Sequence, residues 1–275
     1  MKDLQGKVAV ITGGGSGIGQ GMAHALAARG MKIVLGDIND SRLRLVEAEL
    51  AEGGTEVLPV VVDTTSAVSV QALVEAALDR FGRVDVLCNN AGVVGGGDPW
   101  DGPLDMWEWV LNVNLWGVIH GVRAVLPIMR DQGSGHIVNT ASMAGFLAMP
   151  GYVAYTATKH AVVGLSEGLY AEQQALGGQI GVSVLCPGFV KTQLMSEPTW
   201  APGSAGPAPT ENPVVNGVEQ MLSEGTQVGL DPRAVGELVA DAIQADQFWI
   251  LTDTTMNEVV LARYQGAMAQ RNPGS

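Results

Sequence analysis

The sequence predicts an α/β protein whose centre is a doubly wound, seven-stranded parallel sheet. First, apolar segments of strand length alternate with longer segments of helical composition along the chain. Second, strand-like segments such as residues 8–11 are apolar at consecutive positions, as expected when helices cover both faces of a sheet. Third, neither a shift in composition nor a repeat divides the 275 residues, so we expect a single domain over residues 1–275.

Strands and helices follow one another in a regular order. The predicted strands cover residues 7–12, 32–36, 57–63, 84–88, 136–140, 180–186 and 248–252. The predicted helices cover residues 17–29, 40–52, 67–81, 104–130, 151–176 and 232–245, and a last helix is expected at residues 258–269. Because the order is βαβα throughout, the strands are expected to be parallel.

Residues 193–229 interrupt this alternation. The segment holds five of the 13 prolines and several glycines, which predicts a long loop. A loop of this length is either a functional lid or a surface insertion without a role, and both readings remain open. As a lid, it would bring Met195 and Trp200 to a substrate.

The composition excludes several classes of partner. The chain has 15 lysine and arginine residues against 28 aspartate and glutamate residues, a net charge of −13, so we expect no nucleic-acid or membrane partner. The amino-terminal residues lack the pattern of a secretion signal, and no apolar stretch is long enough for a bilayer span. Cys88 and Cys186 each end an apolar strand, which is typical of buried thiols in a cytoplasmic protein without a metal site.

A glycine-rich turn follows the first predicted strand and leads directly into a helix. Its backbone N–H groups and the positive end of the helix dipole favour a bound pyrophosphate. The spacing is T-G-x-x-x-G-x-G and not G-x-G-x-x-G, and tight packing of a strand against a helix also requires glycine. Its place in a βα unit favours the phosphate site, and the predicted cofactor contacts are Gly13, Gly15, Ser16, Gly17, Ile18 and Gly19.

Asp37 closes the second predicted strand, about 20 residues beyond the glycine turn. A carboxylate at this point accepts hydrogen bonds from both hydroxyls of an adenosine ribose, which favours NAD. The 2′-phosphate of NADP would meet like charge, and neither Ser16 nor Ile38 supplies a positive partner. The alternative is a turn or helix-capping aspartate, because Asn39 and the residues after it have capping chemistry.

Polar and small residues follow the third to sixth predicted strands, at the edge where open α/β sheets bind ligands. Asp63 could receive the adenine amino group, or it could cap the helix that begins after Thr64. Each such residue is common at turns, but their convergence on one edge predicts a single site. The positions are Asp63, Thr64, Asn90, Ala91, Gly92, Ser142, Pro187 and Gly188.

Tyr155 and Lys159 are four residues apart in a predicted helix, so they share one face about one turn apart. A phenol with a pKa of about 10 is a poor base at neutral pH, but a nearby ammonium and a cationic nicotinamide would both lower that pKa. Alone, the pair could equally lie on an exposed helix surface. Ser142 upstream favours proton transfer at a substrate oxygen.

Together these residues resemble the short-chain dehydrogenase/reductase family in its single-domain form, over about residues 7–192. The motifs that carry the resemblance are Thr12-Gly13-x-x-x-Gly17-x-Gly19, Asn89-Asn90-Ala91-Gly92, Asn114, Ser142, Tyr155-x-x-x-Lys159 and Pro187-Gly188. The resemblance implies a Rossmann-type fold and hydride transfer between a nicotinamide and a substrate carbon.

The resemblance also implies roles for individual residues. Tyr155 would be the general acid/base, Lys159 would lower its pKa and hold the nicotinamide ribose, and Ser142 would hydrogen-bond the substrate oxygen. The backbone of Asn114 would hold a water that relays protons from Lys159. Asn90 would hold the adenosine or position the central strand. The remaining cofactor contacts would include Pro187, Gly188, Val190 and Thr192.

The expected substrate is an apolar secondary alcohol or ketone, since the candidate pocket residues are mostly apolar and no basic cluster awaits an acidic substrate. These pocket residues are Ser142, Met149, Tyr155, Met195 and Trp200. Two alternatives stay open, an NADP-dependent reductase of the same family and a non-catalytic NAD-binding sensor or scaffold. A homodimer or homotetramer is expected from the family and from the low charged fraction of 16%.

Overall fold

Seven parallel strands form one sheet in the computed structural model, which describes residues 1–96, 99–100, 104–195 and 211–273. The strands are β1 (Val8–Thr12), β2 (Lys32–Asp37), β3 (Val57–Val61), β4 (Val86–Asn89), β5 (Gly135–Thr140), β6 (Ile180–Cys186) and β7 (Trp249–Leu251). Their order is β3-β2-β1-β4-β5-β6-β7, and every adjacent pair is parallel. Between β1 and β4 the order reverses, which opens a crevice at the carboxyl edge of a doubly wound sheet. The predicted fold class is confirmed.

Helices cover both faces of this sheet. They are α1 (Gly17–Ala28), α2 (Asp40–Glu52), α3 (Ala67–Phe81), α4 (Leu104–Leu111), α5 (Gly117–Gln132), α6 (Val153–Ala175), α7 (Pro213–Val228), α8 (Pro232–Ala245) and α9 (Asn257–Met268). Side-chain caps begin several of them: Asn39 accepts an N–H of α2, Ser66 one of α3 and Asp231 one of α8. No described helix combines the length and the apolar composition needed to cross a lipid bilayer.

The predicted helix over residues 104–130 is interrupted. A π-helical turn, Asn112–Trp116, separates α4 from α5. A π turn holds one more residue than an α turn, so it widens the helix locally. Here it carries Asn114, whose fully buried side chain bonds to the backbone of the loop after β4. Apolar periodicity does not report such a tertiary contact, so the prediction of one continuous helix is wrong.

The prediction of a loop over residues 193–229 is also wrong in part, because α7 occupies 16 of these residues. Asn212 caps this helix and Pro213 opens its first turn, an arrangement that favours helix initiation. Val215 is buried, and a Cβ built at Gly151 would lie 2.8 Å from its Cγ1 atom, so α7 packs against the start of α6. Trp200 lies outside the described residues.

Two apolar layers cover the sheet. On one face, Met22 of α1 and Val239 of α8 are fully buried in a cluster with the side chains of β1 and β2. On the other face, Leu73 of α3 and Met129 of α5 are fully buried in a second cluster. Because both faces of the sheet are covered, every residue of β1 and of β6 is buried, as the consecutive apolar positions of these strands predict.

Helices α1 and α8 cross unusually closely. A Cβ at Gly21 would lie 2.0 Å from the Pro232 carbonyl oxygen, and one at Gly236 would lie 2.1 Å from the Gly21 carbonyl oxygen. Only glycine permits this backbone approach. Arg29 of α1 donates hydrogen bonds to Glu237 at 2.9 Å and to Asp241 at 2.5 Å on α8. Because α1 begins at the glycine turn, this crossing fixes the helix end that points into the crevice.

Candidate active site

A cleft of about 340 Å³ opens at the carboxyl edge of the sheet, on the side where the strand order reverses. Most of the predicted cofactor contacts line it: Gly13, Ser16, Gly17, Ile18, Asp37, Ile38, Asp63, Thr64, Asn90, Ala91, Gly92, Tyr155, Lys159, Pro187 and Thr192. Four others do not, namely Gly15, Gly19, Gly188 and Val190. Gly188 donates its N–H to Thr252 Oγ1 at 3.0 Å, and Val190 is buried in the apolar core.

The glycine turn is shaped by contacts that leave no room for side chains. A Cβ at Gly13 would lie 2.9 Å from Ala91 Cα, and one at Gly19 would lie 2.1 Å from the Gly13 carbonyl oxygen. Ser16, the N-cap of α1, makes no capping hydrogen bond, so the first N–H groups of the helix have no side-chain acceptor there. A glycine cradle at a helix N-terminus fits the pyrophosphate of a dinucleotide.

Asp37 lies beside this turn and holds it. Its Oδ2 accepts the Gly15 N–H at 3.0 Å, and its Oδ1 accepts the Asn39 N–H at 3.0 Å. Asn39, and not Asp37, caps α2, so the capping alternative for Asp37 is wrong and the turn alternative describes one of its two bonds. Each carboxylate oxygen keeps further lone pairs that can accept ribose hydroxyls.

Arg42 also lines this end of the cleft. A Cβ at Gly15 would lie 3.0 Å from Arg42 Cβ and 2.9 Å from Asp37 Oδ2, so the arginine and the aspartate approach the turn from two sides. Only Ser16 and Ile38 were considered as positions for a positive partner, and Arg42 was missed because it approaches the turn through the tertiary packing of α2.

Asp63 lies at the next strand end along the sheet. Its Oδ1 accepts the Thr65 N–H at 2.9 Å and the Thr65 hydroxyl at 2.7 Å. Ser66 caps α3, so the helix-capping alternative for Asp63 is wrong. Thr64 is buried beside Gly117, where a Cβ would lie 3.1 Å from the threonine Cβ.

Thr12 and Asn90 join β1 to the loop after β4. Thr12 Oγ1 accepts the N–H groups of Asn90 at 3.0 Å and Ala91 at 3.2 Å. The Asn90 side chain donates to the carbonyl oxygens of Thr12 at 3.1 Å and Gly13 at 3.3 Å. Of the two roles expected for Asn90, these bonds match the positioning of the central strands. Thr12 belongs to the glycine motif, but it was not selected as a site residue.

Asn114 connects the same loop to the helix that carries Tyr155. Its Oδ1 accepts the Val93 N–H at 2.8 Å, and its Nδ2 donates to the Val93 carbonyl oxygen at 2.8 Å and to Thr158 Oγ1 at 3.3 Å. Thr158 Oγ1 in turn donates to the Tyr155 carbonyl oxygen at 2.7 Å. The side chain of Asn114 is thus committed to protein contacts, and only its backbone is available to hold a water.

Tyr155, Ser142 and Lys159 converge at the inner end of the cleft. Ser142 lies close enough to the Tyr155 hydroxyl to lower its pKa, and its Oγ accepts the Ala144 N–H at 3.1 Å. Lys159 Nζ donates to the Thr140 carbonyl oxygen at 2.9 Å and lies 5.5 Å from the centre of the Tyr155 ring. These groups provide a hydroxyl that can lose or gain a proton, a hydrogen-bond donor beside it, and a cation close to both.

Burial controls the protonation of these groups. It raises the pKa of Tyr155, and the nearby Ser142 hydroxyl acts in the opposite direction. It lowers the pKa of Lys159 to about 8. The pKa of Tyr155 is therefore raised and not lowered as predicted. The physical reason is that desolvation of the phenolate outweighs the stabilisation that Ser142 provides.

An apolar cluster adjoins Tyr155 and forms the candidate substrate side. Its buried members include Val93, Val94, Met106, Val110 and Tyr152. The partly buried residues that pack against it include Met149, Met195, Trp107, Trp109, Val218 and Leu222. The structure thus brings the predicted residues Met149 and Met195 close to Tyr155. Several residues that line the cleft were missed: Asn39, Arg42, Val62, Val93, Val94, Trp109, Val113, Thr140, Ala141, Gln193 and Leu194.

Comparisons with known proteins identify the family. The model of the short chain dehydrogenase family matches residues 7–201. A dehydrogenase/reductase of CLA biosynthesis from Lactiplantibacillus plantarum is 34% identical over 99% of this chain and 97% of its own length. A 1-deoxy-11-beta-hydroxypentalenate dehydrogenase from Streptomyces avermitilis is 38% identical over 91% of this chain and 86% of its own length.

A solved structure agrees over the whole chain. A short-chain dehydrogenase/reductase from Burkholderia phymatum, in complex with NAD, has a TM-score of 0.94 and 41% identity, and the match covers 100% of this chain and 99% of that one. The glycine cradle and the serine, tyrosine and lysine at the inner end of the cleft are those expected from the sequence motifs. The chain belongs to the short-chain dehydrogenase/reductase family.

Proposed function

We propose that this protein is an NAD-dependent oxidoreductase that interconverts apolar secondary alcohols and ketones, with Tyr155 as the general acid/base. The convergence of Tyr155, Ser142 and Lys159 at the inner end of a glycine-lined cleft is the observation that carries this proposal. The bound nicotinamide would accept the hydride from the carbinol carbon, or return it to the carbonyl carbon. The protein would supply the proton transfer and the orientation.

Each polar group has one task in this scheme. The Ser142 hydroxyl hydrogen-bonds the substrate oxygen and holds it beside the Tyr155 hydroxyl. In alcohol oxidation, the Tyr155 phenolate takes the proton from the substrate hydroxyl, and in ketone reduction the phenol returns it. The protonated form of Lys159 favours the phenolate through its charge. The π turn leaves the Asn114 backbone as the candidate water site on the route from Lys159 to solvent.

NAD is the proposed cofactor because Asp37 lines the cleft beside the glycine turn, where we expect the adenosine ribose to bind. The carboxylate repels a 2′-phosphate and can accept ribose hydroxyls. Solved relatives in complex with NAD and with NADH support this choice. Arg42 is the observation that favours the alternative, an NADP-dependent reductase, because a guanidinium at this end can bind a phosphate.

Activity measured with each cofactor distinguishes an NAD-dependent from an NADP-dependent enzyme. We expect kcat/KM with NAD to exceed that with NADP by at least about tenfold. Asp37→Asn keeps a hydrogen-bond acceptor for the Gly15 N–H but removes the charge, so it should raise kcat/KM with NADP. Arg42→Gln is the matched variant, and it should lower only the remaining use of NADP. Tighter binding of NADPH than of NADH by the wild type would overturn the NAD assignment.

The proposed substrate class follows from the apolar cluster beside Tyr155. The names of two relatives, a hydroxypentalenate dehydrogenase and a levodione reductase, describe reactions of hydroxyl or carbonyl groups on small organic molecules. A panel of secondary alcohols, followed by NADH absorbance, tests the class. A protein that binds NADH but oxidises none of them would instead support the sensor or scaffold alternative.

We further propose a homo-oligomer, either a dimer or a tetramer, in the cytoplasm. Helix α9 has no buried residue, and its exposed apolar side chains include Val259, Leu261, Tyr264 and Met268. An isolated helix of this length is marginal in water, so contact with another subunit is the expected source of its stability. Two buried free cysteines are consistent with a reducing compartment. Light scattering of the purified protein measures the oligomeric state.

A further inference from the structure

Tyr152 is a buried phenol that the proposed chemistry does not use. It lies three residues before Tyr155, directly before the first residue of α6, and only 4% of it is exposed. Within the described ranges its hydroxyl has no hydrogen-bond partner, but it is not one of the fully buried polar atoms, so it keeps contact with solvent. A phenol with a buried ring and an accessible hydroxyl can donate a hydrogen bond to a ligand.

The position of Tyr152 points to a ligand. Its ring lies against Gly96, where a Cβ would be 3.4 Å from Cε1 and 3.7 Å from the hydroxyl oxygen. It belongs to the apolar cluster that also contains Val93, Val94 and Tyr155, and these three residues line the cleft. The phenol thus belongs to the apolar cluster that adjoins the candidate catalytic tyrosine, three residues before it in the chain, and it is not itself one of the residues that line the cleft.

The charge around this wall disfavours anionic ligands. The described residues within 92–115, 143–158 and 192–232 contain no lysine, arginine or histidine and contain six aspartate and glutamate residues, while Lys159 and Lys191 lie just outside these ranges. Glu219 of α7 lies close enough to act electrostatically on Tyr152. It is one helical turn beyond Val215, the residue of α7 that packs against Gly151.

The Tyr152 phenol remains protonated at pH values well below 12. Burial, with a contribution from the negative charge of Glu219, raises the pKa of Tyr152 to about 12. A protonated phenol in an apolar wall offers one strong donor. We expect its partner to be an acceptor without a negative charge, because Glu219 would repel a carboxylate and Lys159, the cation on this side of the cleft, already donates to the Thr140 carbonyl oxygen.

We propose that Tyr152 is a specificity-determining residue that donates a hydrogen bond to an uncharged ether, carbonyl or hydroxyl oxygen of the substrate, remote from the carbon that is oxidised. This inference rests on the proposed function, which it narrows to neutral, oxygen-substituted secondary alcohols. It predicts discrimination against carboxylates and other acids of similar size. It also assigns a role to Glu219, whose negative charge would repel anionic substrates without taking part in the reaction.

Matched substrates test the proposal. We would compare 1-(methoxyphenyl)ethanol with 1-(ethylphenyl)ethanol, which differ by an oxygen in place of a methylene, with the substituent at each ring position in turn. At one position the wild type should prefer the ether by about 3- to 10-fold in kcat/KM. Tyr152→Phe should bring this ratio to about one. Tyr264→Phe, which removes a hydroxyl from exposed α9, should leave the ratio unchanged.

A carboxylate probe tests the charge argument. The acid 4-(1-hydroxyethyl)benzoate should react at least about tenfold more slowly than the ethyl compound, and Glu219→Gln should narrow that gap. Ether-to-ethyl ratios near one at every position in the wild type would overturn the proposal. So would a Tyr152→Phe variant that lowers both rates equally, since that result indicates a structural role.

The proposed function can fail without refuting the role of Tyr152. If no alcohol is oxidised, calorimetry on the NADH-loaded protein gives the dissociation constants of the matching methoxy and ethyl ketones, and their ratio replaces the ratio of rates. A preference for the methoxy ketone that disappears in Tyr152→Phe supports the role of Tyr152 even then. Equal dissociation constants for both ketones in the wild type refute it.

Discussion

Thr12 and Asn90 are bonded to each other in both directions across the junction of β1 and β4. Thr12 Oγ1 accepts the Asn90 N–H at 3.0 Å, and Asn90 Nδ2 donates to the Thr12 carbonyl oxygen at 3.1 Å. This pair keeps the glycine turn in contact with the loop that leads to Val93. The cradle for the phosphates and the wall of the substrate side therefore move as one unit.

Replacing Thr12 tests this junction. Thr12→Val keeps the shape but leaves the buried N–H groups of Asn90 and Ala91 without an acceptor, so the free energy of unfolding should fall by about 2 to 4 kcal/mol. Thr12→Ser keeps the hydroxyl and should cost less than about 1 kcal/mol. Urea denaturation measures both. A loss in Thr12→Ser at least as large as that in Thr12→Val would contradict the role of the hydroxyl at this junction.

Removing the Tyr155 hydroxyl should separate catalysis from binding. Tyr155→Phe should lower kcat by about 10²- to 10⁴-fold, because the proton then has no carrier. Its dissociation constant for NADH should stay within about threefold of the wild type. Ser142→Ala should lower kcat by about 10²- to 10³-fold. Stopped-flow oxidation of a secondary alcohol and NADH fluorescence titration give the two quantities. A Tyr155→Phe variant with a tenth of the normal rate would refute the acid/base assignment.

Stability should depend on the protonation of Lys159. Burial lowers the pKa of this residue from 10.5 to about 8 in the folded protein. Between these two pH values the unfolded chain binds a proton that the folded protein lacks, so the free energy of unfolding rises with pH in that window. The contribution is fully present above the unfolded pKa and is lost as the pH falls through about 8.

The comparison variant for this effect is Lys159→Met, which cannot titrate. The difference in unfolding free energy, wild type minus variant, should rise by about 3 kcal/mol from pH 8 to pH 10.5. Denaturation curves at several pH values give the difference, and titrations common to both proteins cancel. A difference that stays constant across this range would show that Lys159 is not desolvated in the folded state.

Two glycines in helices should respond in opposite ways to alanine. At Gly21, the new Cβ would lie 2.0 Å from the Pro232 carbonyl oxygen, so α1 and α8 must separate, and the loss should be about 1 to 3 kcal/mol or more. At Gly217 in α7, a Cβ would meet nothing within 4 Å, so Gly217→Ala should stabilise the protein by about 0.5 to 1 kcal/mol. Thermal unfolding of both variants measures the contrast, and a stable Gly21→Ala protein would contradict the close crossing.

Much of the fold could be predicted because local signals and periodicity agree. The bounds of α2, α3, α8 and β6 are as predicted, since apolar periods and caps mark both ends. The segment over α7 shows what was overlooked. Its prolines and glycines predicted a loop, although Asn212 and Pro213 signal a helix start, and Val215, Val218 and Leu222 follow a helical period.

The position of the candidate site could be predicted for a topological reason. Carboxyl ends of parallel strands meet at one edge, so strand-end residues such as Asp37 and Asn90 converge without any knowledge of side-chain contacts. Arg42 and Tyr152 were missed because their relevance depends on tertiary packing. One lies near Gly15 through the approach of α2, and the other lies beside Gly96 through the fold of the loop after β4. No short-range pattern encodes either contact.

The π turn at Asn112–Trp116 restricts how this enzyme can change its length. Because a π turn holds one more residue than an α turn, deleting one residue here would return the segment to regular α-helix and remove the local widening that places Asn114. It would also withdraw Asn114 from Val93 and loosen the connection to α6. We therefore expect the protein to tolerate side-chain substitutions in Asn112–Trp116 better than changes in its length. A deletion or an insertion of one residue there should inactivate the enzyme.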